Sequence, residues 1–305
     1  MSDLQMETIR NMLRESGGSK GMTIAQRRES MASMTEVLPI PANTEISKVD
    51  SDVQGEWVTT DKSNPQRTIL YLHGGAYIAG APKTHRSLVA ALCNSCQSRA
   101  FVAQYRLAPE HPYPAAVEDA VAAYKWLLES PEMGVFGEDA AKHITVAGDS
   151  AGGALSLAML VSAREQGLPM PAAVVCMSPW ADLSCSGVGY STRAESDPIT
   201  DGDNISDLAK IYLNGADPKS PLASPAFADL SGLPPLLIQV GSDEVLMGDS
   251  LLVEARAHDC GIKATLEIWA GMVHVWHAFY PMLSEGQDAI DRIGSYLDSH
   301  WSESQ

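Results

Sequence analysis

The sequence predicts an α/β fold in which a mostly parallel sheet is flanked by helices. Short buried strands alternate with helices along the chain, and two pairs show this clearly. Residues 144–147 are apolar or β-branched, and a run of small residues over 153–163 that follows them is typical of a buried helix. Residues 235–241 form a second apolar strand, followed by a helix over 250–260. Strands that alternate with helices favour a parallel sheet.

Length and composition indicate one large domain. The chain has 305 residues, of which 45% are hydrophobic, and it contains no low-complexity linker and no internal repeat. The 21 Lys and Arg residues against 38 Asp and Glu residues give a formal net charge of −17. Because so acidic a chain repels phosphate backbones and anionic lipids, we expect neither nucleic acid nor a membrane as a partner.

The N-terminus and the cysteines bear on location and on metal binding. Residues 1–14 lack a basic stretch followed by an apolar one, and the chain has no run of 18 apolar residues, so neither a signal peptide nor a membrane span is predicted. Cys93 and Cys96 form a lone Cys-x-x-Cys, without a second Cys or His pair at metal spacing. We therefore expect buried thiols, no metal site and a cytoplasmic location.

The N-terminal residues predict two helices, over 3–16 and 22–38, separated by a Gly-Gly break. Each helix has an apolar side that is rich in methionine. Two interpretations stay open at this point. The helices form either an ordinary packed pair or a lid over a substrate pocket, lined by adaptable side chains such as Met22 and Met34.

Two Gly-containing segments follow buried strands. Residues 67–72 run directly into His73-Gly74-Gly75-Ala76-Tyr77, where glycines let backbone N–H groups approach a ligand closely; a plain tight turn is the alternative. Gly148-Asp149-Ser150-Ala151-Gly152 lies between a strand and a helix, the context of a nucleophile elbow. A sharp turn there exposes the serine Oγ, and the helix N-terminus directs backbone N–H groups at a developing oxyanion.

These two segments, together with the run Tyr-Arg-Leu-Ala-Pro-Glu-His-Pro-Tyr-Pro-Ala-Ala over 105–116, resemble the bacterial hormone-sensitive-lipase family of α/β-hydrolases, in its GDSAG-type form. The likeness extends over roughly residues 45–300. It implies a central sheet of about eight strands and a helical cap. It further implies a carboxylic ester hydrolase that acts on short- to medium-chain acyl esters through an acyl-serine, without a cofactor.

The resemblance also implies a domain organisation. The catalytic domain comprises residues 46–183 and 229–305, and the cap comprises residues 1–45 and an insertion at 184–228. For the insertion, a solvated connection without substrate contact is the alternative. Because members of this family often dimerise, a homodimer is an expectation carried by the resemblance alone.

The family pattern implies a catalytic triad of Ser150, His274 and an acid, in the chain order of α/β-hydrolases. Two acids follow the strand at 235–241. The pattern has the acid two residues before a leucine and about 30 residues before the histidine, which favours Glu244, because Leu246 follows it and 274 − 244 = 30. Asp243 stays open as the alternative acid. His277 is a nearby histidine without a catalytic prediction.

The same resemblance implies an oxyanion hole formed by Gly74, Gly75, Ala76 and Ala151. Ala76 stands where the family usually carries a third glycine, and we expect the hole to survive if the φ angle of Ala76 is negative.

Three aromatic residues, Tyr77, Trp180 and Tyr190, are candidates for the substrate pocket, although such residues at strand ends also serve as core. The partner we expect is a small-molecule ester. Two other functions use the same scaffold. One is amide or carbamate hydrolysis by the same triad, and the other is a ligand receptor without turnover, which the presence of His274 disfavours.

Overall fold

The computed structural model describes residues 2–15, 21–194, 196–200 and 204–303. Its centre is one eight-stranded sheet. The strands are β1 (Thr44–Asp50), β2 (Gln54–Thr60), β3 (Asn64–Leu72), β4 (Ser98–Ala103), β5 (Ile144–Asp149), β6 (Ala173–Met177), β7 (Leu236–Gly241) and β8 (Ala264–Trp269). Their order in the sheet is β1-β2-β4-β3-β5-β6-β7-β8. The pairs β1·β2 and β2·β4 are antiparallel and the other five are parallel, so the sheet is mostly parallel, as predicted.

Helices cover both faces of the sheet. They are α1 (Ser2–Glu15), α2 (Ile24–Val37), α3 (Pro82–Cys96), α4 (Ala115–Glu129), α5 (Gly137–Lys142), α6 (Ala151–Glu165), α7 (Gly189–Thr192), α8 (Ile205–Leu213), α9 (Met247–Asp259) and α10 (Ser284–Glu303). Apolar side chains of α3 and α10 share one core with the sheet, while those of α4, α6 and α9 share another. Because both faces are covered, every residue of β5, β6 and β7 is buried, and these strands are apolar almost throughout.

Some elements differ from the sequence-based expectation. Helix α9 begins at Met247 rather than at residue 250. β3 begins at Asn64 rather than at residue 67, and its pairing with β4 shifts register between Asn64 and Thr68, so the strand has an irregular start. The short helix α7 was not predicted, because its four residues, Gly189–Thr192, carry no hydrophobic periodicity.

The two N-terminal helices lie in different places. The apolar side of α1 packs on the segment that follows β8. Its core contains Met6, Ile9, Leu13, Met272, Val273, Trp276 and Phe279. Helix α2 instead lines a cavity at the carboxyl ends of the strands. Within the described ranges, no helix is long and apolar enough to cross a membrane.

All five cysteines are free thiols. Cys93, Cys96 and Cys176 are buried, and burial raises the pKa of the Cys96 thiol to about 12. Cys185 and Cys260 are half-buried, so the expectation of buried thiols is wrong for these two.

Candidate active site

The turn from β5 into α6 holds Ser150 in a rare backbone conformation, with φ 53° and ψ −121°. Its amide donates to Met177 O at 2.8 Å, and its carbonyl accepts from Trp180 N at 3.0 Å. The turn requires glycine on its inner side, because a Cβ on Gly152 would lie 1.9 Å from Leu72 O. Sequence and geometry therefore agree on a strained strand-to-helix elbow that exposes the serine side chain.

The loop after β8 brings His274 to the elbow. His274 Nε2 lies 2.9 Å from Ser150 Oγ, and His274 Nδ1 lies 3.0 Å from Glu244 Oε2. An ionised carboxylate only accepts hydrogen bonds, so Nδ1 carries the proton, which leaves Nε2 free to accept from the serine hydroxyl. The three side chains thus form one continuous hydrogen-bonded series.

Glu244 is fully buried directly after β7, and donors surround its carboxylate. Oε1 accepts from the backbone N–H of Gly241 at 2.6 Å and from Ser178 Oγ at 2.7 Å, while Oε2 faces His274. Asp243 lies apart from this series. It binds Arg10 at 2.6 Å and accepts from Ser242 Oγ at 2.8 Å. Of the two candidate acids, the structure brings only Glu244 to the histidine.

Burial and the Glu244 carboxylate shift the pKa of His274 in opposite directions. Burial lowers the pKa of His274, but the hydrogen bond and the charge of Glu244 outweigh it, so the pKa lies above its ordinary value. Burial raises the pKa of Glu244, which the hydrogen bond from His274 opposes.

The four backbone N–H groups predicted for an oxyanion hole comprise, among the described residues, three without a hydrogen-bond partner and one with a partner. In the described part of the chain, no hydrogen bond uses the backbone N–H of Gly75, Ala76 or Ala151. Gly75 and Ala76 line the cavity beside Ser150. The prediction is wrong for Gly74, because its N–H donates to Asp149 Oδ1 at 3.0 Å and is not free for a substrate oxygen.

The φ angle of Ala76 is +54°, not negative as expected. Gly75 before it has φ +121° and Tyr77 after it has φ +61°, so the whole turn is left-handed. The turn is closed by Ile78 N and Ala79 N, which both donate to Gly75 O. This geometry explains why the related family favours glycine at the position of Ala76, since a Cβ is strained at positive φ.

A cavity of about 310 Å³ opens onto Ser150 and His274. Its walls are mainly apolar and come from α2 and α8 with the residues before each, from α3, and from the loops at the strand ends. They include Met22, Met31, Ile78, Leu88, Trp180, Ile199, Ile205, Leu208 and Phe279. A cavity of this size and character suits a small uncharged ligand.

The predicted pocket residues divide into two groups. Met22 and Trp180 line the cavity. Tyr77 does not, because its ring is buried and stacks on Tyr212 at 3.8 Å between ring centroids. Tyr190 does not either, because its hydroxyl is held by Asp249 at 2.9 Å. The side chain of Met34 lies outside what the structure describes.

Sequence reasoning missed a buried polar cluster behind the elbow. Asp149 accepts from Tyr71 Oη at 2.7 Å and from the Gly74 amide, and it lies 3.4 Å from His85 Nε2. Burial would raise the pKa of Asp149, but its contacts with His85 and Tyr71 lower it to about 2. The cluster ties the elbow to the loop after β3. Its only sequence signal is that Asp149 ends β5 and Gly74 follows β3, two neighbouring parallel strands.

His277 is buried with Nε2 2.8 Å from Gln239 Oε1, in agreement with a structural role. Burial lowers its pKa to about 3. Among the residues that the structure describes, no group of three or more His, Cys, Asp or Glu side chains could hold a metal ion.

Comparisons with known proteins agree with this architecture. A family profile described as alpha/beta hydrolase fold matches residues 69–278. The chain is 48% identical to an acetyl-hydrolase of Streptomyces hygroscopicus over 244 residues, which covers 79% of this chain and 78% of that protein. A crystal structure of EstE5 soaked with p-nitrophenyl butyrate is 46% identical, with a TM-score of 0.91 over 98% of this chain and 99% of that one.

An esterase from the bacterial hormone-sensitive lipase family is 39% identical, with a TM-score of 0.92 over 97% of this chain and 98% of that one. The chain therefore belongs to the α/β-hydrolase fold family. The predicted resemblance, the fold class and the enzyme class of carboxylic ester hydrolase are confirmed by these relatives.

Proposed function

We propose that this carboxylesterase hydrolyses short- to medium-chain acyl esters through an acyl-serine on Ser150. The observation that carries the proposal is the continuous series from Ser150 Oγ to His274 Nε2 at 2.9 Å and from His274 Nδ1 to Glu244 at 3.0 Å. This arrangement allows a histidine to remove the serine proton while a carboxylate stabilises the resulting imidazolium.

The reaction follows from these contacts. Ser150 Oγ attacks the ester carbonyl carbon as His274 Nε2 takes the hydroxyl proton. The backbone N–H groups of Gly75, Ala76 and Ala151 stabilise the oxyanion. His274 then protonates the leaving alcohol, which leaves the acyl group on Ser150. A water molecule, deprotonated by His274, then attacks the acyl-serine carbonyl carbon. The bond to Ser150 Oγ breaks, His274 returns the proton to Ser150 Oγ, and the carboxylic acid is released.

The substrate class is inferred from the cavity and from the relatives. The walls are mainly apolar, and a cavity of about 310 Å³ suits a small ester. One relative is named an acetyl-hydrolase, and another was soaked with p-nitrophenyl butyrate. Both names fit short acyl groups. Such a specificity is consistent with a role in the lipid metabolism of small acyl esters.

Hydrolysis of a p-nitrophenyl ester series from acetate to palmitate tests the proposal. We expect turnover of the shorter esters, a steep fall in kcat/KM for the longest chains, and no turnover by Ser150→Ala. Ser250→Ala is a control for the removal of a serine hydroxyl, because Ser250 is buried at the start of α9, remote in sequence from the elbow. Equal activity of Ser150→Ala and wild type would refute the acyl-serine.

We further propose that residues 1–45 and 184–228 form a cap on a catalytic domain of residues 46–183 and 229–305. The cavity supports this division, because α2 and α8 line it together with the catalytic loops.

The net charge of −17 and the free cysteines support a cytoplasmic enzyme without a nucleic-acid or membrane partner. Strand β8 lies at the edge of the sheet, and the outward-facing backbone groups of an edge strand can pair with a second copy, which supports a homodimer that sedimentation analysis tests.

A further inference from the structure

Arg10 projects from α1 to a point where three distant segments meet. Its Nη2 donates to Asp243 Oδ2 at 2.6 Å and to Gly271 O at 2.9 Å, and its Nη1 donates to Ser196 O at 2.8 Å. The side chain is only 15% exposed. One guanidinium therefore joins the loop after β7, the loop after β8 and the segment before α8.

Two of these segments carry members of the proposed triad. Asp243 directly precedes Glu244, and Gly271 lies three residues before His274. Ser242 reinforces the junction, because its Oγ accepts from the Gly271 amide at 2.9 Å and donates to Asp243 Oδ1 at 2.8 Å. Arg10 thus binds the residue before Glu244 and the backbone three residues before His274, so it holds the two loops that carry the acid and the histidine.

The apolar side of α1 supports the same loop. Ile9 and Leu13 are buried in the core that contains Met272, Val273 and Trp276, on either side of His274 in the sequence. No described residue of α1 lines the cavity, so the helix does not contact a substrate there. Its contacts instead lie behind the catalytic loops.

We propose that Arg10 is a positioning residue that holds the loops of Glu244 and His274 in register for catalysis. The proposal rests on the triad inferred under Proposed function. A planar guanidinium suits the task, because its fixed fork of donors satisfies three acceptors from three directions, whereas a lysine ammonium is a compact point charge on a flexible stem. Loss of the Arg10 guanidinium loosens the geometry of the Glu244–His274 pair. It removes no side chain from the cavity walls.

The test compares Arg10→Met, Arg10→Lys and the control Arg14→Ala, an exposed arginine in the last turn of the same helix. Steady-state rates on p-nitrophenyl butyrate are divided by the concentration of sites that an organophosphonate titrates. We expect kcat per active site to fall about 10- to 100-fold in Arg10→Met, with KM within about twofold of wild type, because misplacement of catalytic groups slows the chemical step. Arg10→Lys should recover part of kcat, and Arg14→Ala should match wild type.

Asp243→Asn supplies a second readout that does not depend on the stability of Arg10→Met. If Arg10 acts through Asp243, the fall in kcat caused by Arg10→Lys is smaller in the Asp243→Asn background than in wild type. The reason is that the effects of mutations at two residues in contact are not additive. Unchanged kcat per active site in both Arg10 variants, or full additivity with Asp243→Asn, would overturn the proposal. Failure of the proposed function is distinguishable, because wild type itself would then neither turn over ester nor bind phosphonate at Ser150.

Discussion

Ser178 Oγ donates a 2.7 Å hydrogen bond to Glu244 Oε1. Ser178 Oγ also accepts a 3.2 Å hydrogen bond from the backbone N–H of Val275, the residue directly after His274. Ser178 is fully buried at the end of β6 and has φ +50°, so the backbone is held in an unfavourable region to place this hydroxyl. One side chain therefore links the proposed acid to the histidine loop.

Removal of this hydroxyl should impair catalysis. In Ser178→Ala the buried Glu244 carboxylate loses a donor and the Val275 amide loses its acceptor. A hydrogen bond to a charged group contributes about 1.5–3 kcal/mol, so we expect kcat/KM to fall about 10- to 100-fold. Steady-state hydrolysis of p-nitrophenyl butyrate measures the change.

Ser224→Ala is the matched control for this prediction. Ser224 is also fully buried, and its hydroxyl accepts from Leu183 N at 2.7 Å and donates to Pro218 O at 2.6 Å, away from the proposed triad. Both variants should lose a similar amount of stability, but only Ser178→Ala should lose activity. Equal kcat/KM values in the two variants would contradict the assignment.

The two adjacent acids should differ sharply in their effect on activity. Glu244→Gln removes the negative charge that stabilises a protonated His274, and we expect kcat to fall about a thousandfold or more. Asp243→Asn weakens the ion pair with Arg10 but leaves the proposed triad in place, so the fall in kcat should stay within about tenfold. The comparison uses the same ester and the same active-site titration for both variants. A larger loss in Asp243→Asn would instead identify Asp243 as the acid.

The pH dependence of kcat/KM should follow His274. The histidine acts as a base only when neutral, and its pKa lies above the ordinary value because Glu244 outweighs the effect of burial. Activity should therefore rise with pH through a midpoint above about 6.5 and then level off.

In Glu244→Gln the carboxylate charge is gone while the burial remains, so the midpoint should move to lower pH. A series of rates from about pH 5 to about pH 9 on each protein gives both midpoints. Coincident midpoints would show that a group other than His274 controls the profile.

Replacement of Ala76 by glycine tests the strained turn after β3. Ala76 has φ +54°, a conformation that costs an alanine about 1–2 kcal/mol relative to glycine. Glycine would relieve this strain, but its greater conformational freedom in the unfolded chain offsets about 0.5–1 kcal/mol of the stabilisation. We expect the free energy of unfolding to be unchanged or to rise by up to about 1.5 kcal/mol, with activity retained. A marked loss of stability on chemical denaturation would show that the methyl group of Ala76 packs favourably.

The fold and the centre of the site could be predicted from the sequence because they depend on local patterns. Buried strands such as Ile144–Asp149 are short apolar runs, and the spacing of Glu244 to Leu246 and to His274 is read directly along the chain. The order of strands brings the ends of β5, β7 and β8 to one edge of the sheet. The close approach of Ser150, Glu244 and His274 follows from that arrangement.

The contacts that support the site could not be predicted, because each depends on long-range packing. Tyr77 and Tyr190 carry the residue type of a pocket wall, yet the first stacks on Tyr212 and the second binds Asp249. Gly74 belongs to the same motif as Gly75, but the carboxylate of Asp149 occupies its N–H. The role of Arg10 depends on loops more than 180 residues away.

The central claim is that the acyl group passes through Ser150, and direct detection of the intermediate tests it best. Wild type and His274→Ala are mixed with p-nitrophenyl butyrate, quenched in acid and digested, and the peptides are examined by mass spectrometry. The account predicts a butyryl group on the peptide that contains Ser150, accumulating within the first turnovers of wild type and forming far more slowly in His274→Ala. Release of p-nitrophenol with no acyl group on Ser150, or with the acyl group on another residue, would contradict it.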